Sequence, residues 1–157
     1  MSPLLALLAV LASPAAPLTC RLEPVPPTTV RFTLTNPSPA PLWVLRWNTP
    51  LEERWMGTIF TVTSGKKEIP YQGPLTKRGD PGREQYVEIP AGGSVSGEAD
   101  LALVYEMKKP GKYVVKVTGE LADVVEDGAE VPRGRDRFAG VTVRCAAVAV
   151  DVSNHTR

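Results

Sequence analysis

The sequence predicts an all-β domain, on three observations. Sixteen prolines and thirteen glycines among 157 residues cut the chain into short pieces, which suits many strands and turns and leaves little room for long helices. Short segments with apolar and polar residues in alternation, or with a continuous apolar run, recur between turn formers. The only two cysteines, Cys20 and Cys145, flank nearly the whole domain, so in an oxidising compartment they read as one disulfide tying first strand to last.

Val30-Arg31-Phe32-Thr33-Leu34-Thr35 alternates strictly and stops at the turn cluster Asn36-Pro37-Ser38-Pro39, as a half-buried strand does. Leu42 to Trp47 is apolar at nearly every position, predicting a strand covered on both faces, with Trp43 and Trp47 in the core. Ile59–Thr63 and Lys67–Tyr71 flank Ser64-Gly65-Lys66 and form a β-hairpin. Gln72 to Arg83 has no period and many turn formers, so it is an exposed loop, and its cations include Lys77, Arg78 and Arg83. Tyr86–Ile89 and Ser94–Leu101 are two short strands around Pro90-Ala91-Gly92-Gly93, and Leu101 to Lys109 has room for one helical turn. Lys112 to Thr118 places Tyr113, Val115 and Val117 on one face of a strand. Asp123 to Asp136 is irregular, and Val141 to Val152 returns to strand with Cys145 inside it. About seven to nine strands at this spacing favour an immunoglobulin-like Greek-key β-sandwich with one disulfide. Closing so long a loop contributes about 4 to 5 kcal/mol as an upper figure in the chain-entropy account.

The apolar run Leu4 to Ala12 followed by Ser13-Pro14-Ala15-Ala16 reads as a signal peptide over residues 1–16, ahead of a sandwich domain at 17–152 and a tail at 153–157. A secreted or periplasmic protein is expected. A lipid anchor on Cys20 is disfavoured, because Pro17, Leu18 and Thr19 do not match the Leu-like and small residues that precede a lipidated cysteine. No stretch reaches the eighteen or so apolar residues of a transmembrane helix. Eighteen basic and seventeen acidic residues nearly cancel, so bulk charge points neither to nucleic acid nor to an anionic membrane.

Catalytic chemistry finds little to use. His155 is the only histidine and stands in the tail, which leaves no base for a serine nucleophile and no H-E-x-x-H pair for zinc. A disulfide between Cys20 and Cys145 removes both thiols. The carboxylates Glu52-Glu53, Asp123 and Glu126-Asp127 are candidates for acid and base work, although acidic residues in turns are usually only solvated. No metal or cofactor is expected. Lys77-Arg78 reads either as a bait or as a wetted surface, and Trp55 is the better surface aromatic, able to stack on a sugar.

The segments Val44-Leu45-Arg46-Trp47-Asn48-Thr49-Pro50-Leu51-Glu52, Pro70-Tyr71-Gln72-Gly73-Pro74, Lys77-Arg78-Gly79, Tyr86-Val87, Pro110-Gly111-Lys112-Tyr113 and Asp123-Val124-Val125 through Val131-Pro132-Arg133 resemble the amino-terminal domain of bacterial peptidyl-Lys metalloendopeptidases, relatives of the deuterolysin zinc proteases. The resemblance covers roughly Cys20 to Val152 and is most specific at Trp-Asn-Thr-Pro-Leu-Glu and Lys-Arg-Gly. It implies a β-sandwich that precedes a protease, here as a stand-alone pro-region-like module without the catalytic domain, so no catalytic residue is carried over. It further implies an inhibitor or folding assistant of a lysine-specific zinc metalloendopeptidase, with Lys77, Arg78, Gly79 and Arg83 as the partner-binding loop. The rival expectation is an extracellular ligand-binding or adhesion sandwich that uses its loops or Trp55 on a glycan or surface protein.

Overall fold

A computed structural model describes residues 18–153; the leader assigned to 1–16, Asn154 and His155 lie outside the described residues. Ten strands run in the order β1 (Thr19–Val25), β2 (Thr29–Thr35), β3 (Leu42–Leu45), β4 (Phe60–Ser64), β5 (Lys67–Ile69), β6 (Tyr86–Ile89), β7 (Ser94–Asp100), β8 (Gly111–Val117), β9 (Val124–Val125) and β10 (Val148–Val152). They build three antiparallel sheets with strand orders β1-β2-β7, β10-β8-β4-β5 and β6-β3-β9. Helical structure among the described residues amounts to four single 3-10 turns. None is long and apolar enough to cross a membrane.

The alternation in β2 does what it predicts: Val30, Phe32 and Leu34 are fully buried, while Arg31, Thr33 and Thr35 face outward. Each such side chain contributes about 1.5 to 3 kcal/mol by leaving water. Phe32 meets Phe60 of β4 edge-on with ring centroids 6.3 Å apart, which joins the first sheet to the second across the sandwich. Tyr113 and Val115 on β8 and Val150 on β10 complete this main core. A smaller one holds Leu45, Trp47, Tyr86, Val125 and Val131 under the third sheet. The β4–β5 hairpin turns at Gly65 and Lys66, where Gly65 takes φ 58°. A primed two-residue turn needs that left-handed start, which glycine supplies without steric cost.

Cys20 of β1 is bonded to Cys145, with Cα atoms 4.8 Å apart at a sequence separation of 125, inside the Cα range a disulfide spans. The expected strand from Val141 to Val152 is shorter than predicted. Val141 makes an isolated bridge to Leu121 and β10 begins only at Val148, so Cys145 lies in a stretch held by the disulfide rather than by a ladder. The strand expected at Leu42–Trp47 likewise ends at Leu45, because Asn48 turns the chain with φ 63°. The total of ten, against seven to nine expected, includes β1 and the two-residue β9. The helical turn expected between Leu101 and Lys109 is a 3-10 turn at Leu101–Leu103.

Asn36 is buried and fully used where β2 ends. Its Nδ2 donates to the carbonyls of Ala40 (2.7 Å) and Ile89 (3.0 Å), and its Oδ1 accepts from the Ser38 backbone N–H (3.0 Å) and hydroxyl (2.7 Å). The backbone of Asn36 pairs with Gly92 and Gly93 as well. A buried amide with every partner in place fixes the β2–β3 turn against the β6–β7 turn.

Candidate functional site

Two segments far apart in sequence meet at the mouth of the small core. After β3, Trp47 is buried, Asn48 turns left-handed, and the Thr49 hydroxyl donates to the Arg46 carbonyl at 2.7 Å while accepting from the Leu51 N–H at 3.1 Å. The Asn48 N–H donates to Glu52 Oε2 at 2.7 Å. This folded platform receives Arg78. Its guanidinium makes a two-pronged contact with Glu52, 2.8 Å to Oε1 and 3.0 Å to Oε2, and donates to Asn48 Oδ1 at 3.2 Å. The guanidinium carbon also lies 4.7 Å from the centroid of the Trp47 ring, which places the cation on the face of an indole that Phe138 meets edge-on. Both partners of the ion pair are mostly shielded, with side chains 14% and 13% exposed, so the pair is worth more than a surface one.

Gly57 shows how tightly the platform is built. A β-carbon there would stand 2.3 Å from Asn48 Oδ1, and its φ of +157° disfavours any other residue. Next to the clamp in sequence, Arg46 Nε and Trp47 Nε1 are buried without a hydrogen-bond partner among the described residues.

The loop from Gln72 to Arg83 is irregular and largely exposed, as its composition predicts, but Pro81 is buried and the loop is pinned at several points. The Tyr71 hydroxyl donates to the Pro74 carbonyl at 2.7 Å, and the Gln72 N–H donates to Val104 O at 2.8 Å. Arg78 is clamped as described, and Asp80 Oδ1 accepts from the Arg135 N–H at 2.9 Å. Arg83 donates to the carbonyls of Gly128 (3.2 Å) and Val131 (2.9 Å). Of the three candidate cations, two therefore hold the loop in place. Lys77 is exposed and has no ion-pair partner among the described residues, and Gly79 is exposed beside the clamp. Leu75, two residues before Lys77, is 81% exposed. Leu103, the other large exposed hydrophobic among the described residues, adjoins Val104, to which the loop's stem is bonded.

Trp55 is half-buried rather than a free-standing surface ring. It packs on the main core with Phe60, Tyr71 and Tyr105 at centroid distances of 6.1 to 6.2 Å, and its indole N–H donates to the Asp100 carbonyl at 3.1 Å. Its edge lines a groove of about 320 Å³ shared with Glu53, Glu98, Asp100 and Leu103. Burial pushes the Tyr105 phenol up to about 12, and its hydroxyl bonds to Thr58 and the Phe60 carbonyl. Trp47 is the core tryptophan the sequence predicts; Trp43 is half-buried, its ring lying where a β-carbon on Gly128 would be.

The acidic candidates are occupied or solvated. Asp123 is buried and receives Arg133 Nε at 3.1 Å, Arg133 NH2 at 2.5 Å, the Tyr86 hydroxyl at 2.7 Å and the Ala139 N–H at 2.9 Å. Burial alone would raise its pKa, but these hydrogen bonds, led by Arg133, hold it below the ordinary carboxylate value. Burial, reinforced by the Asp123 carboxylate, pushes Tyr86 up to about 12. Glu52 belongs to Arg78, Asp127 caps the 3-10 turn at Gly128–Glu130, and Glu53 and Glu126 are exposed. Among the described residues no group of three or more His, Cys, Asp or Glu side chains could hold a metal ion.

No family model matches the chain. It is 34% identical over 134 residues to an extracellular protease of Aeromonas hydrophila, a match covering 81% of this chain and 38% of that protein. It is 25% identical over 104 residues to a probable neutral protease 2 homolog B of Trichophyton rubrum, covering 65% of this chain and 28% of the relative. A neutral protease 2 homolog of Arthroderma gypseum is 26% identical over 113 residues, covering 71% and 30%. The chain thus spans well under half the length of each of these relatives.

Proposed function

We propose that this chain is a secreted, non-catalytic, protease-associated domain whose Gln72–Arg83 loop docks on a zinc metalloendopeptidase and inhibits it or assists its folding. The observation that carries the reading is the loop itself. An exposed tip, Leu75-Thr76-Lys77, stands between a stem bonded to Val104 and an arginine clamped to Glu52 and Trp47. A loop fixed in advance loses little conformational freedom on binding, which is how pre-organised inhibitory loops reach affinity. Lys77, exposed at the tip and without an ion-pair partner among the described residues, suits a specificity pocket that prefers lysine, by charge complementarity. The similarity to proteins named extracellular protease and neutral protease 2 supports the association, and the disulfide accords with export.

The test mixes the oxidised chain with the catalytic domain of a peptidyl-Lys metalloendopeptidase and follows binding and peptide hydrolysis in the same samples. Binding that is weakened at least about tenfold by Lys77→Ala is expected. Undiminished binding and inhibition by a Lys77→Ala, Arg78→Ala variant would remove the loop from the mechanism.

A further inference from the structure

The near-cancellation of charge in the sequence conceals a segregation by residue type. Among the described residues every ion pair is made by an arginine and none by a lysine. The chain has seven lysines, and apart from Lys77 all belong to the β4–β5 hairpin (Lys66, Lys67), the segment leading into β8 (Lys108, Lys109) or β8 itself (Lys112, Lys116). The shielded two-pronged contacts, Arg78 with Glu52 and Arg133 with Asp123, are made by arginine, whereas the ammonium charges of the lysines other than Lys77 are left exposed along the β4–β5 hairpin, β8 and the segment leading into it.

Three of these lysines line one cleft. Lys67, Lys108 and Lys109, with Glu106 as the single carboxylate, surround a cavity of about 270 Å³ together with Ile69, Pro70 and Tyr113. Its origin lies in the sheet. β5 is the edge strand of its sheet, and just beyond it Tyr71 makes one antiparallel bridge to Tyr105. Continuing that register would set Ile69 opposite Met107 and Lys67 opposite Lys109, but no ladder forms there, and residues 106–109 are irregular. Met107 turns into the core, and the Tyr113 hydroxyl holds the Lys109 carbonyl at 2.7 Å. The edge of β5 thus faces a parted segment across a gap with lysines on both walls.

We propose that this cleft binds an extended acidic segment of a partner protein, laid beside β5 with carboxylates toward Lys67, Lys108 and Lys109 and an apolar side chain toward Ile69 and Tyr113. An edge strand supplies backbone partners for an added strand, and the flanking side chains set what it prefers. The gap is short, mixed in polarity and interrupted by Glu106. These features fit an alternating acidic and apolar peptide better than a long uniform polyanion, which tracks a continuous basic groove. The inference goes beyond the loop reading and holds whichever partner the Gln72–Arg83 loop engages.

The probe is a capped decapeptide alternating glutamate and valine, titrated into the oxidised chain at low ionic strength, with a glutamine-for-glutamate peptide, a heparin fragment and phosphatidylglycerol vesicles as parallel arms. The expected result is saturable binding of the acidic peptide alone, weakened by salt and by about tenfold or more in a Lys67→Gln, Lys108→Gln, Lys109→Gln variant. A Lys112→Gln, Lys116→Gln variant is expected to bind as the parent does, and thermal unfolding of both variants verifies that they fold. No peptide binding by the parent, an equal loss in both variants, or capture of heparin or vesicles in preference to the peptide would overturn the proposal. So would a triple variant that only self-associates while the parent ignores the peptide, since the lysines would then merely guard an edge strand.

Discussion

Replacing Arg78 by methionine isolates the clamp, because the aliphatic stem is retained while the guanidinium is lost. The structure assigns that group two charge-assisted contacts with Glu52, one bond to Asn48 and a position over Trp47. Breaking a fully buried pair costs about 3 to 5 kcal/mol, and a cation over an indole about 0.5 to 2 kcal/mol. Both charged side chains here keep some water contact, and Glu52 retains the Asn48 N–H, so the expected loss is about 2 to 3 kcal/mol. Urea unfolding of the oxidised protein measures it as a lower midpoint at unchanged slope. Amide exchange adds the local readout: protection at Thr76 to Asp80 should fall further than protection in β2 or β8, because the loop loses its anchor before the sandwich opens. A stability change under about 0.5 kcal/mol, the range of an ordinary surface substitution, or a loop whose exchange does not change, would refute the clamp.

Other expectations follow from the same geometry. Asp123→Asn removes the charge that Arg133 and Tyr86 address and should cost about 3 kcal/mol at neutral pH. Because the folded-state pKa of Asp123 lies below its ordinary value of 3.8, its contribution is present above that value and is lost as pH falls through the folded-state pKa. Unfolding titrations should therefore show the gap between parent and Asn variant narrowing only below about pH 4. Gly57→Ala should destabilise by about 2 kcal/mol or more, since its β-carbon would collide with Asn48 and its φ disfavours a side chain. Its amide-exchange pattern should show loosening at Arg78. A Cys20→Ala, Cys145→Ala pair should lower stability by up to about 4 to 5 kcal/mol in denaturant titrations, whereas Lys77→Ala should stay within about 0.5 kcal/mol of the parent.

Much of the fold was legible because it rests on local patterns. The alternation of Val30, Phe32 and Leu34, or of Tyr113 and Val115, assigns a strand and its buried face together. β1 was harder to read, since Pro24 interrupts its pattern and Pro26-Pro27 follows. Proline is tolerated there because β1 is an edge strand of its sheet. The two residues of β9 carry too little sequence to show any period. Cys145 sits in a run rich in valine and alanine that reads as strand, but strand structure also requires a paired neighbour, and only residues from Val148 onward find one in β8.

The site divided in a similar way. Exposure of the Gln72–Arg83 loop follows from its glycines and prolines, and Lys77 and Arg78 look equivalent in sequence. Their roles separate only in space, where Glu52, 26 residues earlier, meets Arg78, while Lys77 has no such counterpart among the described residues. Trp55 reads as the surface aromatic because it lies outside the strand segment that carries Trp43 and Trp47, yet Phe60, Tyr71 and Tyr105 converge on it from three other segments. The crowding of lysines near β5 was invisible to net charge, which sums over the whole surface and discards position.

The central claim is that the loop from Gln72 to Arg83 is the surface this domain presents to a protease. Amide exchange of the oxidised chain, with and without the catalytic domain of a peptidyl-Lys metalloendopeptidase, tests it most directly. The account predicts new protection concentrated at Gly73 to Gly79 and absent from that region in a Lys77→Glu variant; protection confined to the outer face of β1, β2 and β7, or no change anywhere, would contradict it.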